Sequence, residues 1–369
     1  MFRRIAVDIG TSEVRVCELE RGAGTMLRLS RFGLKEYLLD PLADEADKRA
    51  KKRQALEELL AEMGIGNRLH FWRQPAVVGV PGRSVFTRTR FLPPIPRKRI
   101  DKIVRYELQQ QIPFKLDQIR LGYHLFPTTD TSGLLCGADA KEKGYQVMMA
   151  AIKRDALNAH LAPLPLELVN PIACIPASVA LYDWLRHIGE LGHADECVAV
   201  LDLGANTTNL VIERGGQFAY TRPLHLAGND VTAAIGNAFG VPFLEAEAMK
   251  LEQGFVPTSD VSSDGKMGEA TGPVLSRLVT EVKDSLAYFR SLPGGGEVDR
   301  FLLTGGGVRL RNIALYFQRA FGREVRLVDP LAGMSSGSTV FLERPYAAAT
   351  VLGLALAALG RAEININLA

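Results

Sequence analysis

Val198-Ala199-Val200-Leu201-Asp202-Leu203-Gly204-Ala205-Asn206-Thr207-Thr208-Asn209-Leu210-Val211-Ile212 decides how the rest of the chain is read. An apolar run meets Asp-x-Gly, passes through small polar residues and returns as a second apolar run, which predicts a β-hairpin. The same order stands 194 positions earlier, in Ile5-Ala6-Val7-Asp8-Ile9-Gly10-Thr11-Ser12-Glu13-Val14-Arg15-Val16. A single Asp-x-Gly is often only a hairpin turn; two matched copies predict a duplicated fold with a cleft between its halves. A third glycine cluster, Thr304-Gly305-Gly306-Gly307, follows the buried run Phe301-Leu302-Leu303 and precedes an amphipathic stretch.

Gly10 and Gly204 let the backbone approach a ligand, and the N–H groups of such turns form a nest suited to phosphate oxygens. Thr11, Ser12, Asn206, Thr207 and Thr208 offer further donors. Asp8 and Asp202 would repel phosphate, but each can hold a hydrated Mg²⁺ that bridges to it, since Mg²⁺ takes carboxylate oxygens and keeps several waters. Gly305, Gly306 and Gly307 present bare backbone at a strand-to-helix junction, suited to a flat or anionic ligand or to a flexible loop.

Taken in order, these three blocks resemble the two phosphate loops and the adenosine loop of the actin-like ATPase superfamily. The resemblance implies an α/β, ribonuclease H-like duplicated fold with two lobes, with ATP and Mg²⁺ between them. Within it, Lys102-Ile103-Val104-Arg105-Tyr106-Glu107-Leu108-Gln109-Gln110-Gln111-Ile112-Pro113-Phe114 is similar to a signature of the type IV pilus assembly PilM branch, which is related to FtsA. Physically, Ile100, Ile103, Val104, Leu108 and Ile112 share one helical face and Pro113 ends the helix. His225-Leu226-Ala227-Gly228-Asn229-Asp230 and Ala246-Glu247-Ala248-Met249-Lys250 also follow the branch, with Ala227 where it usually has glycine. The resemblance implies that Glu247 and Lys250 approach ribose and phosphates; without it, the pair reads as a solvated i,i+3 ion pair. Asn229 or Asp230 is placed to cap the following helix.

The resemblance organises the chain into four parts. Residues 1–74 with 161–194 form the first-half core, 75–160 an inserted 1C-type α/β module, 195–243 with 300–369 the second-half core, and 244–299 its insertion. Phe255 to Gly272, rich in Ser, Asp and Gly, reads as a surface loop. Lys48-Arg49-Ala50-Lys51-Lys52-Arg53 reads as one solvated side of a helix ending near Met63.

The chain's 369 residues amount to about two domains at ~150 residues each. With 44 Lys plus Arg against 41 Asp plus Glu, the net charge of +3 gives no basis for nucleic-acid binding or direct membrane attachment. Cys17, Cys136, Cys174 and Cys197 form no Cys-x-x-Cys pair, and the six histidines form no zinc motif. No signal-type or membrane-spanning run occurs, so a cytoplasmic location is expected, with the inner membrane reached only through partners.

Actin-like hydrolases orient the attacking water with Gln, Glu or Asp near the connection between the halves. Here Asn170 to Tyr182 offers only Asn170 and Ser178, so Asp202 and Asn170 are the remaining catalytic candidates. Slow or absent turnover with intact binding is expected. The resemblance further implies a PilN-like N-terminal peptide in a groove between the first-half core and the inserted module, together with other inner-membrane proteins of the pilus complex. Glu363-Ile364-Asn365-Ile366-Asn367-Leu368-Ala369 resembles the I-N-L motif of that peptide, which opens self-association through a neighbour's groove or competition with the partner; a frayed terminus is the plainer expectation. Two other readings stand beside this one, a filament-forming FtsA-like division protein and a small-molecule kinase of the superfamily.

Overall fold

The computed structural model describes residues 4–22, 27–37, 39–65, 73–93, 96–126, 145–257, 265–332, 334 and 345–369. The chain begins with strands β1 (Ile5–Ile9), β2 (Glu13–Arg21) and β3 (Leu27–Glu36), helix α1 (Glu45–Glu62) and strand β4 (Gln74–Val80). There follow β5 (Val85–Leu92), α2 (Arg97–Gln109), β6 (Ile119–Phe126), β7 (Tyr145–Lys153), α3 (Arg154–Leu161), β8 (Val169–Pro176) and α4 (Ala177–His187). The second half carries β9 (Cys197–Leu203), β10 (Thr208–Arg214), β11 (Gln217–Leu224), α5 (Gly228–Phe239), α6 (Phe243–Gln253) and α7 (Gly265–Ser291). It continues with β12 (Arg300–Thr304), α8 (Ile313–Phe321), β13 (Glu324–Leu327) and α9 (Ala349–Ala358).

The duplication is exact at the level of topology. One sheet has the order β3-β2-β1-β4-β8 and the other β11-β10-β9-β12-β13, each with its first three strands antiparallel and its last two joined in parallel. Asp8 lies opposite Arg15 across the first hairpin, and Asp202 opposite Asn209 across the second. The two turns close alike: Gly10 N donates to Glu13 O at 3.0 Å, and Gly204 N to Thr207 O at 3.1 Å. A Cβ on either glycine would meet that same carbonyl oxygen, at 2.8 and 2.7 Å, so the turn itself requires glycine at both places.

Helices α4 and α9 lie between the sheets. Val198, Val200, Val211 and Phe218 of the second sheet bury in the same apolar cluster as the first sheet, α4 and α9, and Tyr182 of α4 meets the Phe218 ring edge-on at 5.0 Å. The other face of the second sheet buries against α5, α7 and α8, with Leu201, Ile235, Val282 and Phe317 among its core. The inserted sheet, β5-β7-β6, carries α2 through Ile100, Val104 and Leu108.

Three expectations change. β4, placed above in the inserted module, pairs in parallel with β1 and with β8, so the first sheet extends to Val80 and the module's sheet starts at Val85. Residues 349–369, placed above in the second-half core, pack instead in the first: α9 is apolar almost throughout and buries against α4, β1 and β4. Within Phe255–Gly272, residues 258–264 lie outside the described residues and the rest from Gly265 is helical, α7 continuing through Pro273. Phe255 and Pro257 lie against α7 at Gly268 and Gly272, and the Thr271 hydroxyl donates to Phe255 O at 2.8 Å. Cys17, Cys174 and Cys197 are buried free thiols, and Cys136 lies outside the described residues.

The last residues do not fray. Ile364, Ile366 and Leu368 are each 1% exposed and belong to the first-half cluster. Asp183 Oδ1 on α4 accepts the Glu363 and Ile364 N–H groups, both at 3.1 Å. Burial pushes the Asp183 carboxyl up to about 7 from its ordinary 3.8, against the pull of these two donors. The folded state therefore holds a proton that the unfolded chain has released, and this contribution to stability is fully present below about pH 4 and lost as pH rises to about 7. Asp183→Asn retains the accepting oxygen without titrating. Urea unfolding should show the wild type losing about 2–3 kcal/mol more than the variant between pH 5 and 8, at 1.36 kcal/mol per unit; parallel pH profiles would refute the assignment.

Candidate functional site

The three glycine blocks meet at one cleft between the two sheets, a cavity of about 230 Å³ lined by Asp8, Gly10, Thr11, Ser12, Asp202, Gly204, Asn206, Thr207, Glu247, Lys250, Gly305, Gly306 and Gly307. Each wall is a hairpin held from behind. On the first, the Tyr37 hydroxyl donates to Gly10 O at 2.5 Å and Tyr37 N to Ser12 O at 2.9 Å. On the second, the first turn of α5 takes this part, Gly228 N donating to Gly204 O at 3.0 Å and Asn229 N to Ala205 O at 2.7 Å. α5 begins one residue earlier than Asn229, with Ala227 as its N-cap and no side chain in the capping place; Asp230, in the first turn, instead accepts the Ala227 N–H at 2.9 Å.

Lys250 lies deep in the cleft, its Nζ donating to Glu247 Oε2 at 2.7 Å, Thr232 Oγ1 at 2.8 Å and Gly228 O at 3.1 Å. Burial lowers its pKa, opposed by Glu247. The i,i+3 pair is thus no solvated surface bridge; it ties α6 to α5 at the lip of the second hairpin. Gly305 adopts φ +87°, where a side chain is strained, and a Cβ there would meet Asp202 Oδ1 at 2.5 Å. Gly306 has nothing within 4 Å of its would-be Cβ, so here bare backbone faces the cleft.

Two predicted residues fall elsewhere. Thr208 is fully buried and its hydroxyl donates to Leu226 O at 2.7 Å; strand alternation turns it into the core and turns Asn209 to the cleft in its place. Asn170 stands near the start of β8, whereas the chain reaches the cleft at Ala177, about 20 Å further along an extended strand.

The structure adds residues that the sequence reading passed over. Arg15 sits between the carboxylates, Nη1 on Asp8 Oδ2 at 2.5 Å and Nη2 on Glu13, while its buried Nε has no partner among the described residues. Burial alone would lower its pKa; Glu13 and Asp8 more than offset this and raise it. Asp202 Oδ2 accepts from Asn209 Nδ2 at 3.1 Å, and burial raises the Asp202 carboxyl above its ordinary range despite that bond. His160 and Arg83 line the cleft too, His160 Nε2–H donating to Gly79 O at 2.7 Å, with burial holding the imidazole toward its neutral form. Lys52, from the run read as solvated, also reaches the cleft, and its Nζ lies 5.9 Å above the Tyr37 ring.

No group of three or more metal-ligating side chains occurs among the described residues. Of the carboxylates that line the cleft, Asp8 and Glu13 are engaged by Arg15, Asp202 by Asn209 and Glu247 by Lys250. Nor is any helix among the described residues long and apolar enough to cross a membrane.

Comparison with known proteins agrees with this architecture. In a solved type IV pilus biogenesis complex of PilM with PilN, a chain of 26% identity superposes with a TM-score of 0.76, over 96% of this chain and 98% of that one. Ethanolamine utilization protein EutJ from Carboxydothermus hydrogenoformans (16% identity, TM-score 0.53, 96% and 89% covered) and MamK in its double helical filament (16%, 0.52, 96% and 98%) share the actin-like fold. Cell division protein FtsA of Escherichia coli K12 is 28% identical over 180 residues, 42% of each chain, so this chain spans less than half the length of these curated relatives in the matched region. A family profile described as type IV pilus assembly protein PilM matches residues 6–359. With two lobes of one topology, an inserted three-stranded module and a profile match over nearly its whole length, this chain belongs to the type IV pilus assembly protein PilM family.

Proposed function

We propose that this protein is an ATP-binding scaffold of type IV pilus assembly, or of a related type II secretion system. It grips the N-terminal segment of a PilN-like inner-membrane protein between its first-half core and its inserted module, and it turns ATP over slowly or not at all. The observation that carries the reading is the likeness, over 96% of the chain, to a PilM solved together with PilN. In this reading the protein is cytoplasmic and reaches the inner membrane through such partners.

The cleft's donors fit a polyphosphate. The bare backbone at Gly306 and the basic side chains of Lys52 and Arg83 that line the cleft are complementary to anionic oxygens, and Leu251, Leu310 and Tyr346 line the cavity with apolar surface suited to a base. Asp8 and Asp202 fit a Mg²⁺ held through its waters, which would supply charge neutralisation to the phosphates. At about 230 Å³ the cavity falls below the ~300–1,000 Å³ usual for ligand pockets, so binding entails some parting of the walls.

Calorimetry with Mg·ATP should therefore show binding that is lost in Gly306→Val, while steady-state phosphate release stays far below the ~1 s⁻¹ at which ordinary enzymes begin. Turnover of many per second, abolished by Asp202→Ala, would overturn the scaffold reading. The partner is tested separately: a labelled N-terminal peptide of the PilN-like protein encoded in the same genome should bind the full chain, and the absence of any binding would exclude the groove reading.

A further inference from the structure

The segment Glu363–Ala369 alternates strictly between exposed and buried residues, with Ile364, Ile366 and Leu368 pointing inward. It lies between the two bodies that form the proposed groove. On the first-half side, Leu368 N donates to Cys174 O of β8 at 2.9 Å, and Cys174 N donates to the Asn367 side chain at 2.9 Å. On the module side, Asn365 N donates to His124 Nδ1 of β6 at 3.2 Å. Gly122 of β6 leaves the space that the segment fills, since a Cβ there would stand 2.9 Å from Asn367 O and 3.0 Å from the Ile366 side chain.

Among the described residues, Leu368 N to Cys174 O is the single backbone-to-backbone bond that joins this segment to a strand. The other attachments are side chains of the groove reaching the segment's N–H groups, a side chain of the segment reaching the groove, and three aliphatic plugs. An extended peptide of the same pattern could take each of these places without breaking any sheet, a mode in which pockets for alternate side chains give the specificity.

The segment's first residue is also wired across the molecule. Arg186 of α4 grips the Glu363 carboxylate with two nitrogens, at 2.9 and 3.2 Å, and its third nitrogen donates to Gly216 O, in the turn between β10 and β11, at 2.6 Å. One guanidinium therefore joins the segment to the second sheet, the sheet that carries Asp202.

We propose that residues 363–369 are a built-in occupant of the partner groove, and that an extended partner segment binds only by displacing them. The inference rests on the proposed function above for the identity of the groove. The groove's own occupant defines the partner's chemistry: branched aliphatic side chains at three alternating positions, an acidic group ahead of them for Arg186, and a carboxamide between the last two. If the groove is vacant in about 1–10% of molecules, the occupant weakens partner binding by about 10- to 100-fold, the inverse of that fraction.

Two fluorescent probes test this by polarisation on the full chain: the heptapeptide Glu-Ile-Asn-Ile-Asn-Leu-Ala, copied from residues 363–369, and the N-terminal peptide of the PilN-like protein. Ile366→Glu places a charge at a buried position and should expel the segment, so that both probes bind the variant about 10- to 100-fold more tightly than the wild type. Glu363→Ala/Asn367→Ala removes two attachments without burying a charge, and serves if Ile366→Glu folds poorly; it should tighten both probes in the same direction. Equal affinity of wild type and variants for both probes overturns the occupant while leaving the partner reading intact. Heptapeptide binding tightened by the variants, with no binding of the PilN-like peptide to any of them, confirms an occupied groove but overturns the partner reading and the exchange with it.

Discussion

Arg15→Met should lower the stability of the folded chain by about 3–5 kcal/mol and remove nucleotide binding. The side chain is 14% exposed and bridges Asp8 and Glu13, with Asp202 facing it across the cleft. Methionine fills a similar volume but leaves three carboxylates close together in a place poor in water. Breaking a buried ion pair by deleting one partner typically costs that amount, because the surviving charge has lost its compensation. Urea denaturation at pH 7 measures the loss, and calorimetry with Mg·ATP measures the binding. Arg15→Lys separates the two roles: it keeps the charge, so most of the stability should return, but it lacks the fork that spans Asp8 and Glu13 together. If Arg15→Met unfolds within about 0.5 kcal/mol of the wild type, the residue is not the cleft's electrostatic centre.

Gly353→Ala should be still more damaging than its single added carbon suggests. A Cβ at Gly353 would lie 1.8 Å from Ala180 O and 2.5 Å from Ala180 C, so α9 and α4 could not remain at their present separation. Overpacking a core costs about 1–3 kcal/mol where side chains can yield; here the obstacle is backbone, and a loss at or above the upper end is expected. α9 also supports the site, with Leu354 packed under Gly79 and Ala349 and Thr350 lining the cleft. The variant should thus bind nucleotide weakly even in the fraction that folds. Wild-type thermal stability would show that the two helices can slide apart at little cost.

How much of this was legible beforehand depends on whether the determining contact is local. The two Asp-x-Gly hairpins are local objects, and their duplication and the cleft between the halves can be read from them; Gly305 to Gly307, Glu247 and Lys250 line the same cavity but belong to other stretches, and much of the remaining lining carries no local signal. Arg15 and Asn209 were within reach of the same reading. Each lies seven residues after its aspartate and directly across the hairpin from it, and counting strand parity would have set Asn209, rather than Thr208, toward the cleft. β4 was misplaced because nothing within Gln74–Val80 says whether its parallel neighbour is β1 or a strand of the module; that choice is made by residues far away in sequence. The start of α7 is hidden by composition, since Gly268, Gly272 and Pro273 all have poor helix propensity and the burial of Met267, Ala270 and Thr271 that holds the turn in place is tertiary. The alternation in Ile364-Asn365-Ile366-Asn367-Leu368 was visible, but the surface receiving it is assembled from β6, β8 and α4, which no window of sequence contains.

The burial of Val198, Val200 and Phe218 against α4 and α9 bears on how this protein can be taken apart. α4 and α9 cover an apolar face of both sheets, and α9 packs in the first half although it follows the second in sequence, so a fragment cut near residue 195 would carry an uncovered apolar sheet face whichever side it came from. The two halves share one topology, but they do not have wholly separate cores. Because one apolar cluster spans both sheets, calorimetry should show the two lobes melting in a single transition, and two separated transitions would show that they unfold independently.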